Sequence, residues 1–203
     1  KYGYHLLFDA LNKLRIILNP EDIIIADNGM NKHYVEQYES PRPTTIISVG
    51  LSSIGFSIPA AVGASLARPE SKIVVVCGDG GFMISVSDLA TIRHLQLPVK
   101  IIMVADGAYG LIKGLQLEEF GDATGVDFTN PDFEYLARAF NLQYLAVHSR
   151  EALDELQAII SSPMSSLIVL NQGYRFSKRA NVIRHAKDMP MEFPERHQYG
   201  FLY

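Results

Sequence analysis

The stretch Ile73-Val74-Val75-Val76-Cys77-Gly78-Asp79-Gly80-Gly81-Phe82 decides the fold. Five apolar residues in unbroken succession form a strand buried on both faces, the hallmark of a parallel sheet. A second such run, Ile101-Ile102-Met103-Val104, ends at Ala105-Asp106-Gly107-Ala108-Tyr109-Gly110. Asp106 follows Asp79 by 27 positions, room for a helix and a returning strand. Two parallel strands joined by a helix release both carboxylates at one edge of the sheet, where open α/β folds bind ligands. Two hard oxygen donors beside glycine-rich turns suit a divalent cation carrying a diphosphate.

Working outward, Tyr4, Leu7, Phe8, Leu11 and Leu14 repeat at helical spacing. Ile23-Ile24-Ile25-Ala26 reads as a strand ending in the loop Asp27-Asn28-Gly29, and Thr45 to Ser48 as another. Pro59 to Ala67 predicts a helix, as do Ser85 to Leu95, Pro131 to Phe140 (capped by Asn130) and Glu151 to Ile160. Lys100 to Val104, Tyr144 to Val147 and Leu167 to Leu170 complete six strands. The expectation is an α/β, doubly wound parallel sheet with helices on both faces, in a domain over 1–170. Residues 171–203 read as a C-terminal extension or arm, with Arg175, Lys178, Arg179, Arg184 and Lys187 and then two prolines.

Composition limits the function classes. The 203 residues are 48% hydrophobic and 20% charged, with net charge −4, ordinary for a soluble globular domain and unlike a nucleic-acid binder. One cysteine, Cys77, excludes an internal disulfide framework and fits the cytoplasm. Ending a buried strand without a basic neighbour, its thiol reads as packing. No apolar stretch is long enough to span a bilayer, so no membrane association is expected. The six histidines show no zinc-ligand spacing with Cys77. His33, just after the first loop, stands near enough to approach a bound ligand. Leu111 and Leu115 follow the second carboxylate on a helix and fit either a pocket wall or the core. Glu118 and Glu119 fit a solvated face.

Three motifs in order resemble one family. Gly78-Asp79-Gly80 followed by Ala105-Asp106 resembles the cofactor motif of the thiamine-diphosphate-dependent decarboxylase and acetolactate synthase superfamily. Ile54-Gly55-Phe56-Ser57-Ile58-Pro59-Ala60-Ala61-Val62-Gly63-Ala64 resembles its Gly-Phe-x-x-Pro-Ala-Ala segment, and Asp27 to Asn31 its first diphosphate-contacting loop. Gly125-Val126-Asp127-Phe128 and Pro131-Asp132-Phe133 follow the acetolactate synthase pattern.

The resemblance implies thiamine diphosphate and Mg²⁺ as cofactors. Asp79, Asp106 and the main-chain carbonyl of Ala108 would ligate the metal. Gly78, Gly80, Gly81, Tyr109 and Gly110 would lie against the diphosphate, with Gly29, Met30 and Asn31 closing from the first loop. Ile54 matches the apolar wedge that holds the cofactor bent, and the Ser52 carbonyl would accept a hydrogen bond from its aminopyrimidine. Both would serve catalysis by fixing the reactive geometry. Three departures stand out: Ala105-Asp106 replaces the usual Asn-Asn, Ile54 the methionine of acetolactate synthases, and Val49-Gly50-Leu51-Ser52-Ser53 the usual Gly-Gly-Leu-Gly turn.

The activity implied is decarboxylation of a 2-oxo acid, pyruvate, and its ligation to a second carbonyl to give 2-acetolactate. The alternatives are simple decarboxylation of the benzoylformate or indolepyruvate type, and a split-subunit enzyme of the sulfopyruvate type. In this family an activating glutamate comes from a separate pyrimidine-binding domain, so that domain, in the same enzyme or a partner subunit, is an expected partner in a homo-oligomer. The start at Lys1 favours a fragment over a split subunit. FAD, held by a middle domain in some relatives, would leave no trace here. From the residues alone, a nicotinamide-binding Rossmann domain, a response-regulator-like domain and a non-catalytic relative stay open, although no Gly-x-Gly-x-x-Gly follows a first strand.

Overall fold

A computed structural model describes residues 6–37 and 43–172. Tyr4, His5, His185, His197 and the basic residues of the tail lie outside the described residues. Among the described residues six strands form one sheet: β1 (Ile23–Ala26), β2 (Thr44–Ile47), β3 (Ile73–Gly78), β4 (Val99–Ala105), β5 (Gln143–Val147) and β6 (Ser166–Asn171). Their order is β2-β1-β3-β4-β6-β5, and every pairing is parallel. Every strand therefore delivers its C-terminal end to the same edge.

The apolar runs are explained by what covers them. Along β3, Val74 and Val76 point into a core formed with α1 (Leu6–Ile17) and α8 (Leu156–Ser161). Ile73, Val75 and Cys77 point into a second core with α3 (Ser57–Ala67), α5 (Leu89–Leu95) and α7 (Phe133–Ala139). Both faces are dry, so no polar alternation survives in the sequence. Cys77 is fully buried, and burial first, then the charges of Asp27 and Asp79, push its thiol pKa well up. It is packing, not a nucleophile.

The chain moves from β1 outward to β2, then returns to place β3 on the other side of β1. This reversal opens a crevice at the strand tips between β1 and β3.

Several boundaries differ from expectation. The turn after β3 is already helical: α4 (Asp79–Ile84) begins on Asp79, a 3₁₀ turn (Val86–Asp88) follows, and α5 completes the helix expected from Ser85. The first loop is similarly short, because α2 (Met30–Gln37) starts at Met30. The helix expected over 151–160 is 3₁₀ through Glu155 before α8 begins. Asn130 does not cap α7. Asp132 does, its side chain accepting from the Glu134 and Tyr135 N–H groups. β6 runs through Asn171, which pairs with Ala105. Among the described residues no helix is long and apolar enough to cross a membrane.

Candidate functional site

The site is built around two carboxylates in the strand-tip turns, Asp79 buried and Asp106 half-buried. Asp79 follows β3, is fully buried, and accepts three hydrogen bonds. Oδ1 takes the Gly80 N–H at 2.9 Å. Oδ2 takes the Gly107 N–H at 2.7 Å and the Asn130 amide Nδ2 at 2.6 Å. Asp106 follows β4, the neighbouring strand, and its side chain lies within hydrogen-bond reach of Asp79. Burial, and then the charge on Asp79, raise the Asp106 carboxyl pKa to about 7, with the Ala108 N–H opposing them. Two anions at this separation do not both stay ionised without a counter-charge.

Above the pair opens a cavity of about 480 Å³, a size that admits a cofactor-sized ligand. Asp106, Ala108, Tyr109 and Gly110 line it from the turn after β4, and Gly78, Gly80 and Gly81 from the turn after β3. Gly29, Met30 and Asn31 line it from the start of α2, and Ser52 and Ile54 from the loop before α3. Asp79 lies beneath this surface. The residues singled out in the sequence thus meet around one space.

Their local roles are partly different from those expected. The Asn31 side chain turns inward, donating to the carbonyls of Asp27 (2.8 Å) and Val76 (3.1 Å). Its amide nitrogen braces the loop. Gly81 packs tightly on its neighbour: a Cβ there would stand 3.1 Å from the Asp27 carboxyl carbon. At Gly80 a Cβ would meet the Tyr109 ring at 2.7 Å. These glycines let three turns pack together before any ligand arrives.

Asp27, read in the sequence only as the opening of the diphosphate-contacting loop, has a bracing role that the sequence did not announce. It is fully buried at the tip of β1. Its carboxylate accepts from the N–H groups of Asn28 (2.7 Å), Gly55 (2.9 Å) and Ser57 (3.2 Å) and from the Ser57 hydroxyl (2.6 Å). The Asn28 side-chain Nδ2 donates a hydrogen bond to the Ser53 carbonyl at 2.8 Å. Together they fasten the loop that carries Ser52 and Ile54.

Ile84 and Ile112 also line the cavity and were not anticipated, whereas Leu111 does and Leu115 does not. The signal for Ile84 was hidden because α4 was not foreseen. His33 and Lys32 line the cavity from α2, with His33 Nδ1 3.1 Å from Glu36 Oε2. Glu118 and Glu119 are exposed on α6 (Gly110–Phe120).

The turn after β4 is held from outside by residues 126–130. Tyr109 N–H donates to the Val126 carbonyl and Phe128 N–H to the Gly107 carbonyl, each at 2.9 Å. Neither bond uses the Ala108 carbonyl. The Tyr109 and Phe128 rings pack with centroids 5.1 Å apart, and Lys113 pairs with Asp127 at 2.6 Å.

The donor set can be tested against a cation. Among the described residues no group of three or more His, Cys, Asp or Glu side chains gathers. Two carboxylates and a carbonyl would leave roughly half of an octahedral shell to ligand oxygens and water. That suits Mg²⁺ shared with a phosphate group and not a closed zinc site. Backbone N–H groups of glycine turns and the first turn of α2 suit the phosphate itself.

Comparison with known proteins agrees with this chemistry. The family described as "Thiamine pyrophosphate enzyme, C-terminal TPP binding domain" matches residues 27–170. Acetolactate synthase isozyme 2 large subunit of Escherichia coli (strain K12) is 34% identical over 154 residues, covering 72% of this chain and 27% of that protein. Acetolactate synthase of Bacillus subtilis (strain 168) is 29% identical over 191 residues, 92% of this chain and 33% of that protein. The catabolic acetolactate synthase of Raoultella terrigena is 29% identical over 177 residues, 82% of this chain and 31% of that protein. The chain thus spans about a quarter to a third of the length of these relatives.

Proposed function

This chain belongs to the thiamine pyrophosphate enzyme family, through its C-terminal TPP binding domain, and from that premise we propose that it holds the diphosphate half of thiamine diphosphate through Mg²⁺ in an enzyme that converts pyruvate to 2-acetolactate and CO₂. The observation that carries the reading is the pair of carboxylates at the tips of adjacent parallel strands, beneath one glycine-lined cavity. The relatives named above, acetolactate synthases, support the reaction.

The thiazolium of the bound cofactor supplies the electron sink for decarboxylation. The protein positions it. Asp79, Asp106 and the Ala108 carbonyl would hold the metal, and Gly29, Met30 and Asn31 would offer backbone N–H groups to the phosphates. Ile54, 40% exposed on the cavity wall, would pack against the cofactor rings, and the Ser52 carbonyl would accept a hydrogen bond from the aminopyrimidine. Leu111 and Ile112, on the first turn of α6, would supply an apolar wall beside the reacting carbons. A pyrimidine-binding domain, in the same polypeptide or in a partner subunit of a homo-oligomer, would supply the opposite wall and the activating glutamate. A cytoplasmic setting accords with a free buried cysteine.

Asp106 makes cation binding depend on pH. Its carboxyl must lose its proton to ligate, and without metal that proton is held up to about pH 7. The apparent Mg²⁺ affinity should therefore be flat above about pH 7.5 and fall by up to roughly tenfold per unit below 7. Calorimetric titrations across pH 5.5–8.5 check this, and a flat profile would contradict the assignment of Asp106.

Product analysis of the intact protein supplied with pyruvate, thiamine diphosphate and Mg²⁺ tests the reaction. Acetolactate with CO₂ is expected. Acetaldehyde without acetolactate would replace ligation by simple decarboxylation, and turnover of pyruvate independent of thiamine diphosphate would overturn the reading.

A further inference from the structure

Asn130 stands between two anchored segments. On one side residues 126–128 are hydrogen-bonded to the turn after β4. On the other, Asp132 caps α7, whose Phe133 is buried with its ring centroid 6.0 Å from that of Phe82. Because Asp132 performs the capping, the Asn130 side chain is released from that task. It reaches into the site, and its Nδ2 donates to Asp79 Oδ2 at 2.6 Å.

This orientation is costly and specific. It leaves Asn130 Oδ1 buried without a hydrogen-bond partner among the described residues, a penalty of the kind that makes such groups rare in folded proteins. The flipped amide would put two acceptors face to face. The bond also changes what Asp79 can offer. An ionised carboxylate has about four acceptor sites, two on each oxygen. Gly107 N–H and Asn130 Nδ2 together fill both sites on Oδ2. Among the described residues Oδ1 carries the Gly80 N–H, and the Asp106 side chain lies within hydrogen-bond reach of the same carboxylate. With Asp106 turned to a cation instead, one acceptor site remains, on Oδ1.

We infer that Asn130 is a positioning residue of the cation site: by saturating Oδ2 it makes Asp79 a one-oxygen ligand, and so favours a small octahedral cation over a larger one. The inference rests on the Mg²⁺ reading above. Mg²⁺ takes single oxygens in a regular octahedron, whereas Ca²⁺ accepts more ligands and bidentate carboxylates. Removing the Asn130 amide reopens Oδ2 and permits the bidentate mode.

The test uses the intact protein with thiamine diphosphate, titrated with Mg²⁺ and separately with Ca²⁺ by calorimetry. For Asn130→Ala, Mg²⁺ affinity should fall about ten- to a hundredfold, as for other losses of a group behind a metal ligand. Ca²⁺ affinity should change by less than about threefold, so the Mg²⁺/Ca²⁺ preference moves at least several-fold. Asn130→Leu fills the same space and removes the buried acceptor, so it serves if the alanine variant folds poorly; the same shift in preference is expected. A preference unchanged within about twofold in a folded variant, or an equal loss of both cations, would overturn the inference and leave Asn130 a structural residue. Failure of the wild-type protein to bind Mg²⁺ at all would instead bring down the Mg²⁺ reading of the site.

Discussion

Replacing Asp79 by alanine is expected to abolish measurable Mg²⁺-dependent binding of thiamine diphosphate, a loss of at least about a hundredfold, or ~2.7 kcal/mol. The size follows from what converges on this side chain. It is fully buried at the end of β3, and three N–H donors from three different turns point at it. Removal takes away a metal ligand and the acceptor that draws Gly107 and Asn130 into place. The fold itself should tolerate the change better than the site does. Without metal, Asp79 repels Asp106, and the variant relieves that repulsion. Asp79→Asn keeps the shape and separates charge from packing. Calorimetry with cofactor and Mg²⁺, beside thermal melts of the metal-free proteins, is the measurement. Cofactor affinity within about threefold of wild type would remove Asp79 from the metal site.

A second large effect is expected at Asp27, for a different reason. Asp27→Ala should destabilise the protein by about 3–5 kcal/mol, because a buried carboxylate leaves and four donors lose their acceptor. Those donors are the N–H groups of Asn28, Gly55 and Ser57 and the Ser57 hydroxyl. For a domain of this size that corresponds to a fall of roughly 6–20 °C in Tm. The loop bearing Ser52 and Ile54 loses its fastening at the same time, so cofactor affinity should fall even where the protein remains folded. Asp27→Asn, which replaces one acceptor oxygen by a donor, should cost less than alanine but more than a surface substitution. Chemical denaturation and cofactor titration check both halves. A loss under about 1 kcal/mol would mean that the loop is held by something other than Asp27.

The fold was legible because each strand is covered on both sides. Ile73 to Cys77 and Ile101 to Val104 divide their side chains between two dry cores, which forces continuous apolar runs that need no partner to be recognised. Turn residues were less legible. α4 begins on Asp79-Gly80-Gly81 and α2 on Met30-Asn31, and neither start carries the side-chain cap that announces a helix. Their first turns are shaped by neighbouring turns and the cavity, so local propensity says little about them. Asn130 and Asp132 flank Pro131, and either Asx residue fits a helix start beside proline. Only the tertiary contact with Asp79 distinguishes them.

The same limit explains Asp27. In sequence it ends a strand before Asn28-Gly29, a natural ligand loop. Its partners Gly55 and Ser57 lie 28 and 30 residues further on, beyond any local pattern. Asp79 and Asp106 were legible despite their separation, because each directly follows an unmistakable strand and parallel pairing brings strand ends together. Residues reached through strands could be placed from the residues alone, whereas Ser52 and Ile54, on a loop, were reached only through the family resemblance.

The most direct measurement is diffraction near the manganese absorption edge from crystals of the intact protein grown with Mn²⁺ and thiamine diphosphate. A single strong anomalous peak is expected about 2.0–2.2 Å from one oxygen each of Asp79, Asp106 and the Ala108 carbonyl, in contact with the cofactor's phosphates. Bound cofactor with the peak elsewhere, or with none at all, would contradict the account.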